Sequence, residues 1–250
     1  MIHLTNDVAA VIHQLLEMAA MILGVALYRK RNTEALKAAS FYPVLGCIIG
    51  AGLGNKLLHQ LQHPEQWPMI TSHWQLIFSG QSLLGGLIGG WLGVELVKYY
   101  LGIKKSTGDD YVVPLCASIA LGRIGCFLAG LHEDTYGAAT QMPWGVDLGD
   151  GIYRHPAPLY EALWALVALL IIPTLSRRLS WPSGGQFRLF FAAYCLWRLY
   201  SETLKPSPPI THFGLSAISW AALITLVIYL PLSIRWWLRN VKHPQGIYAP

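Results

Sequence analysis

Tyr194, Arg198 and Glu202 stand four residues apart within the segment 194–206, YCLWRLYSETLKP, which is otherwise apolar enough to enter a membrane. At about 3.6 residues per helical turn the three side chains fall on one stripe. An arginine at membrane depth does not give up its proton and must be paired or solvated. Glu202, one turn away, is the evident partner of Arg198, and Tyr194 can add a hydrogen bond. Lys205 and Pro206 close the stripe where the helix should reach water. One reading is an ion pair that fixes helix packing; the other is a functional site facing a cavity. A second arginine, Arg123 in LGRIGCFLAG, has no acidic residue one turn away and so calls for an anion from elsewhere. Two arginines against one carboxylate leave a positive surplus. The planar guanidinium fork matches phosphate, so the chemistry indicated is capture of an anionic phospholipid headgroup.

A second group of residues lies in RHPAPLYE, positions 154–161. Pro156 and Pro158 suit the first turn of a helix, where a missing N–H costs little. His155 just precedes that turn, and Tyr160 and Glu161 lie about one turn inside it. A histidine before proline can be a plain loop residue; with Tyr160, Glu161 and Lys205 at one level it can also belong to a site. His13 and Glu17, four apart in the first apolar segment, form a further inward polar pair, structural or functional. Gly46, Gly50 and Gly54 are spaced by four, as are Gly85, Gly89 and Gly93, which lets helices approach closely in lipid. The Gly85–Gly86 pair could also admit a headgroup to the backbone. The four cysteines show no CxxC and no Cys/His metal spacing, so neither a metal nor a disulfide framework is expected.

The elements that must position these groups follow from composition. The 250 residues are 54% hydrophobic and only 12% charged, against about 25% charged in a soluble domain. Seven segments, near 8–28, 40–61, 76–100, 111–130, 157–175, 187–204 and 213–234, are long and apolar enough to span a bilayer. They predict an all-α integral membrane protein, a single transmembrane domain over 1–250. The net charge of +5 does not indicate nucleic acid, because the basic residues are sorted by loop. Arg29, Lys30, Arg31 and Lys37 follow the first span, Lys98, Lys104 and Lys105 the third, Arg177 and Arg178 the fifth, and Arg235, Arg239 and Lys242 the seventh. The alternate loops hold only Arg154 and Lys205. The positive-inside rule then sets the N-terminus outside and the C-terminus in the cytoplasm. The loop at about 131–156 has no helical period and reads as an ordered loop or small extracytoplasmic cap. The first span lacks the basic flank of a signal peptide and reads as an anchored helix.

Four motifs carry a family resemblance. LGRIGCFLAG resembles the G-R-x-G-N-F signature of the prolipoprotein diacylglyceryl transferases. RHPAPLYEA is similar to their H-P-S-Q-L-Y-E-A, and YCLWRLYSETLKP to Y-x-x-x-R-x-x-x-E-x-x-R-x-P. SGQSLLGGLIGG, with Ser82, Gly85 and Gly86, resembles S-F-H-G-G-L-x-G. The resemblance implies a multi-pass enzyme of the bacterial cytoplasmic membrane. Such an enzyme moves a diacylglyceryl group from phosphatidylglycerol to a thiol of a lipoprotein precursor or related acceptor, without a cofactor or metal. It implies catalytic roles for Arg123, Arg198, Glu202 and His155. Tyr194, Tyr160, Glu161, Ser82, Gly85, Gly86, Lys205 and Glu17 are implied as substrate contacts.

The departures from the pattern are equally specific. The family's histidine before Gly-Gly falls on Leu84, and its asparagine after G-R-x-G on Cys126, where a small packing residue also suffices. Glu133 is the counterpart of a displaced glutamate; Lys205 replaces an arginine, Ser207 an aspartate, and Glu17 a tyrosine. With Leu84 unable to take a proton, His155, Glu17, Glu133 or the phosphate itself would serve as base. These changes mark a divergent branch. They leave two alternatives: a lipid-binding or partner protein of the same fold that has lost the reaction, and a transporter using the intramembrane charges. Against the transporter, no polar stripe runs through to the cytoplasmic side.

Overall fold

The computed structural model describes residues 6–31, 38–78, 80–133, 135–206 and 214–242. Within them the chain forms α1 (Asn6–Arg31), α2 (Ala38–Gln62), the short α3 (Trp67–Ile70), α4 (Leu83–Leu101), α5 (Asp109–Ala129), α6 (Ala157–Arg178), α7 (Gly185–Glu202) and α8 (Ala217–Lys242). Five of these helices contain stretches long and apolar enough to cross a membrane: Val8–Arg31, Phe41–Gln62, Asp109–His132, Ala157–Arg178 and Ala217–Asn240. The protein is a mainly helical, multi-pass membrane protein. α4 and α7 are not among these five, on composition and not on length. α4 is diluted by glycines at 85, 86, 89, 90 and 93, and α7 carries Arg188, Arg198 and Glu202.

Two helix pairs and one chain of contacts organise the bundle: α2 packs on α4, α7 on α8, and α1 on α5, which also packs on α6. The glycine ladders meet each other. A Cβ on Gly50 would fall 2.2 Å from the Gly89 carbonyl oxygen, and one on Gly93 would fall 2.1 Å from that of Gly46. Backbone therefore touches backbone along this seam, the close approach that small residues permit in lipid. The centre of the bundle is apolar and aromatic, with Val112, Cys116, Phe190, Phe191 and Tyr194 fully buried.

The third span, placed at 76–100 from sequence, starts instead at Leu83; residues 74–78 form a separate 3-10 turn. That start is set by Ser82, whose hydroxyl accepts from Gly85 N at 3.3 Å as an N-cap, while its own N–H donates to Asn55 Oδ1 at 2.7 Å. The segment between α5 and α6 is a small cap that includes a hairpin of β1 (Val146–Asp147) and β2 (Tyr153–Arg154), a β element the all-α expectation lacked. Asp147 Oδ1 accepts from Gly149 N at 2.8 Å and Gly151 N at 3.1 Å, turning the chain between the strands. Ala138 N donates to Leu204 O at 2.8 Å, tying the cap to the end of α7. Lys37 and Ser207 lie outside the described residues.

Candidate active site

Three helices contribute to one buried cluster. α5 brings Arg123, α6 brings Glu161 in its second turn, and α7 brings Tyr194, Arg198 and Glu202 on one stripe, as their spacing requires. Arg198 Nη2 donates to Glu202 Oε1 at 2.5 Å, and its Nη1 donates to Glu161 Oε2 at 3.1 Å. Arg123 Nη2 donates to Glu161 Oε1 at 3.2 Å, with its Nε 3.0 Å from Oε2. Tyr194 OH donates to Glu161 Oε1 at 2.5 Å. Glu161 and Arg198 side chains are 2% and 4% exposed. At such depth the desolvation of each charge has to be offset by its partners, and the network supplies them for all but the Nε–H groups of the two arginines, which make no hydrogen bond.

Two expectations are corrected here. The count of one carboxylate against two arginines is too low: Glu161, 38 residues from Arg123, is the anion that Arg123 called for and serves Arg198 as well. Tyr194 does not bond Arg198; its hydroxyl goes to Glu161. A third correction concerns Lys205, placed from sequence at the water boundary. Its side chain is only 9% exposed, and Nζ lies 3.9 Å from Glu202 Oε1. Burial, helped by the Arg198 charge, pushes its ammonium down to a pKa of about 7. The cluster thus holds three basic groups, Arg123, Arg198 and Lys205, against two carboxylates, Glu161 and Glu202. The surplus of basic groups survives, smaller per arginine than the sequence implied.

A second polar group adjoins Arg123 on the side of α1. Arg123 Nη1 reaches Cys126 Sγ at 3.7 Å. His13 Nε2 lies 3.3 Å from Glu17 and 3.5 Å from Glu133, and Gln81 Nε2 donates to Glu17 at 3.3 Å. Glu17 and Glu133 side chains are 30% and 34% exposed, so these carboxylates stay open where the arginine cluster is closed. His155 Nδ1 is 3.2 Å from Tyr160 OH, which accepts from Trp144 Nε1 at 2.7 Å. His155 and Cys126 line the same small cavity beneath the hairpin. Ser82 caps α4, and Gly85 is packed against Gly54, whereas Gly86 faces a larger internal cavity. Leu84, in the place of the family's histidine, is 1% exposed in the apolar core.

Sequence reasoning missed Ser216, whose hydroxyl donates to Glu202 Oε2 at 3.0 Å, and Gln81. Neither gives a signal in sequence, because each meets its carboxylate only through tertiary packing. Among the described residues no group of three His, Cys, Asp or Glu side chains could hold a metal ion.

Apolar helices of spanning length and a buried arginine–carboxylate cluster beside a small hairpin define a multi-pass membrane protein with one polar site inside its bundle. The family model for prolipoprotein diacylglyceryl transferase matches residues 3–237, and the chain belongs to that family. Similar proteins include the phosphatidylglycerol–prolipoprotein diacylglyceryl transferase of Geobacter sulfurreducens, 34% identical over 76% of this chain and 72% of the relative. The protein of that name from Legionella pneumophila is 30% identical over 84% of this chain and 81% of its own length. That from Nitrosomonas europaea is 33% identical over 76% and 69%.

Proposed function

We propose that this chain transfers a diacylglyceryl group from phosphatidylglycerol to the cysteine thiol of a prolipoprotein, with Arg123, Arg198 and Lys205 receiving the phosphate. The observation that carries this reading is the cluster itself: two arginines share one carboxylate, with Lys205 alongside, within reach of Glu17 and Glu133 through Cys126 and His13. In the reaction the acceptor thiol loses its proton, its sulfur bonds to the glyceryl carbon, and the carbon–oxygen bond to phosphate breaks. Glycerol phosphate leaves and takes up the proton. Preorganised cations in a dry site stabilise the departing charge without reorganising at the moment of reaction. The same positive field favours the thiolate. Glu202 holds Arg198 in register, and Glu161 sets both guanidinium planes.

The partly open carboxylates Glu17 and Glu133, gathered by His13, are placed to take the thiol proton. His155 and Tyr160, under the hairpin, are assigned to the rim where the acceptor enters. In this reading α4 and α7 also cross the membrane, giving seven spans of a single domain. Pairing of α4 with α2 along the glycine seam and of α7 with α8 supports it. The basic last turns of α1, α4 and α6 support an outside N-terminus, a cytoplasmic C-terminus and residence in the bacterial inner membrane.

The buried Leu84 favours a second reading, a lipid-binding protein of this fold without turnover. A genetic test separates the two: expression in a bacterium depleted of its own transferase. Restored lipoprotein maturation, lost with Arg198→Ala, is the outcome expected for the enzyme. Well-expressed protein that restores nothing, yet retains phosphatidylglycerol on purification, would favour the second reading.

A further inference from the structure

A large cavity lies away from the arginine cluster. It has a volume of about 630 Å³ and lies among α2, α4, α5, α7 and α8. One end is apolar, with Gly86, Leu87, Gly90 and Trp91 of α4 along it. The other end is polar: Arg188 at the start of α7 and Arg235 and Arg239 on α8 line it, beside Ser106 and Thr107 before α5. Arg188 sits 4.7 Å from the Trp236 ring centroid and 3.5 Å from Ser233 Oγ. Among the described residues none of these three arginines is ion-paired, and the carboxylate on the wall, Glu95, is taken by Lys98 at 3.1 Å. Thr107 Oγ1 is buried with no partner.

This end is remote from the transfer site. Arg188 precedes Arg198 by ten residues and Gly108 precedes Arg123 by fifteen, separations of roughly 15 and 22 Å along helices. The basic rim lies at the end of the bundle where α5 and α7 begin. A cavity of this size, apolar within and cationic at one rim, has the shape of a lipid site. Basic pockets between membrane helices on the cytoplasmic side hold anionic headgroups.

We propose that this cavity holds one anionic phospholipid, its chains along Gly86–Gly90 and its phosphate on Arg188, Arg235 and Arg239, as a second lipid site. The bound lipid fills the space between the α2–α4 pair and the α7–α8 pair, so it joins two parts of the bundle. The proposal stands whether or not the chain is an active transferase.

The test is native mass spectrometry of the delipidated full-length protein titrated with phosphatidylglycerol. Replacing the three arginines together (R188Q, R235Q and R239Q) should weaken one binding event on the order of 100-fold. Arg198→Gln should leave that event intact. Phosphatidylcholine should not compete for it, and inorganic phosphate should not displace it. Gly86→Leu keeps the arginines but fills the groove, its Cβ in ordinary contact with Ala51 O and Asn55 Cβ at 3.7 Å, and should also weaken it. Unchanged binding in the triple variant or in Gly86→Leu would overturn the proposal. So would loss of the same event in Arg198→Gln, equal binding of phosphatidylcholine, or displacement by phosphate alone.

Discussion

Glu161 and Arg198 meet at 3.1 Å across the α6–α7 interface, and the same carboxylate engages Arg123 of α5. One buried side chain therefore joins three helices. Glu161→Gln keeps the shape but leaves two guanidinium groups short of a counter-charge. Breaking a buried pair in this way costs about 3–5 kcal/mol. Thermal unfolding in detergent should show the loss, and transfer should fall with it. A variant as stable as the parent would remove Glu161 from its bridging role.

How legible this was in the sequence depended on distance along the chain. The Tyr194–Arg198–Glu202 stripe could be read because helical periodicity fixes it locally, and the 2.5 Å Arg198–Glu202 contact follows from that spacing. The Arg123–Glu161 pair could not be read, since 38 residues and a hairpin separate them. The glycine spacing showed each half of the α2–α4 seam, but only the fold shows the halves facing each other. The burial of Lys205 could not be read either, since its 9% exposure is set by tertiary packing around the end of α7. The start of α4 lies past its expected place because the apolar residues Leu76, Ile77 and Phe78 precede the helix, while Ser82, a capping residue, marks the boundary.

Replacing the guanidinium tests whether geometry or charge alone is needed. Arg198→Lys keeps the charge but gives up the fork that holds Glu161 and Glu202 together. Transfer should fall on the order of 100-fold, the scale seen when one preorganised donor to a transition-state charge is removed. Product formation from labelled phosphatidylglycerol would measure it. Full activity in Arg198→Lys would show that a point charge suffices.

Lys205 should make phosphatidylglycerol use depend on pH. Burial lowers its pKa to about 7, so the ammonium that attracts phosphate is lost as pH rises through that value. KM for phosphatidylglycerol should therefore climb between about pH 6.5 and 8, and Lys205→Arg, which stays charged, should flatten the profile. The stability effect has the opposite sense. A depressed lysine pKa stabilises the fold above the unfolded value, and that contribution fades as pH falls toward 7. An unchanged pH profile in Lys205→Arg would take Lys205 out of the binding step.

The α2–α4 seam should tolerate no side chain. A Cβ at Gly50 or Gly89 would fall 2.2 or 2.1 Å from an opposing carbonyl oxygen, so the helices must part. Gly89→Ala should cost about 1–3 kcal/mol, as overpacking does elsewhere. Gly52→Ala, facing open space in α2, serves as the control and should leave the melting temperature nearly unchanged. Equal melting temperatures for both variants would argue against close backbone contact.

The most direct test of the central claim is incubation of the purified protein with labelled phosphatidylglycerol and a peptide carrying a lipoprotein-type cysteine. Mass spectrometry should find a thioether-linked diacylglyceryl group on the cysteine, with glycerol phosphate released in equal amount. Both products should disappear in Arg198→Ala and Arg123→Ala. Folded wild-type protein that binds phosphatidylglycerol yet forms no thioether would contradict the account.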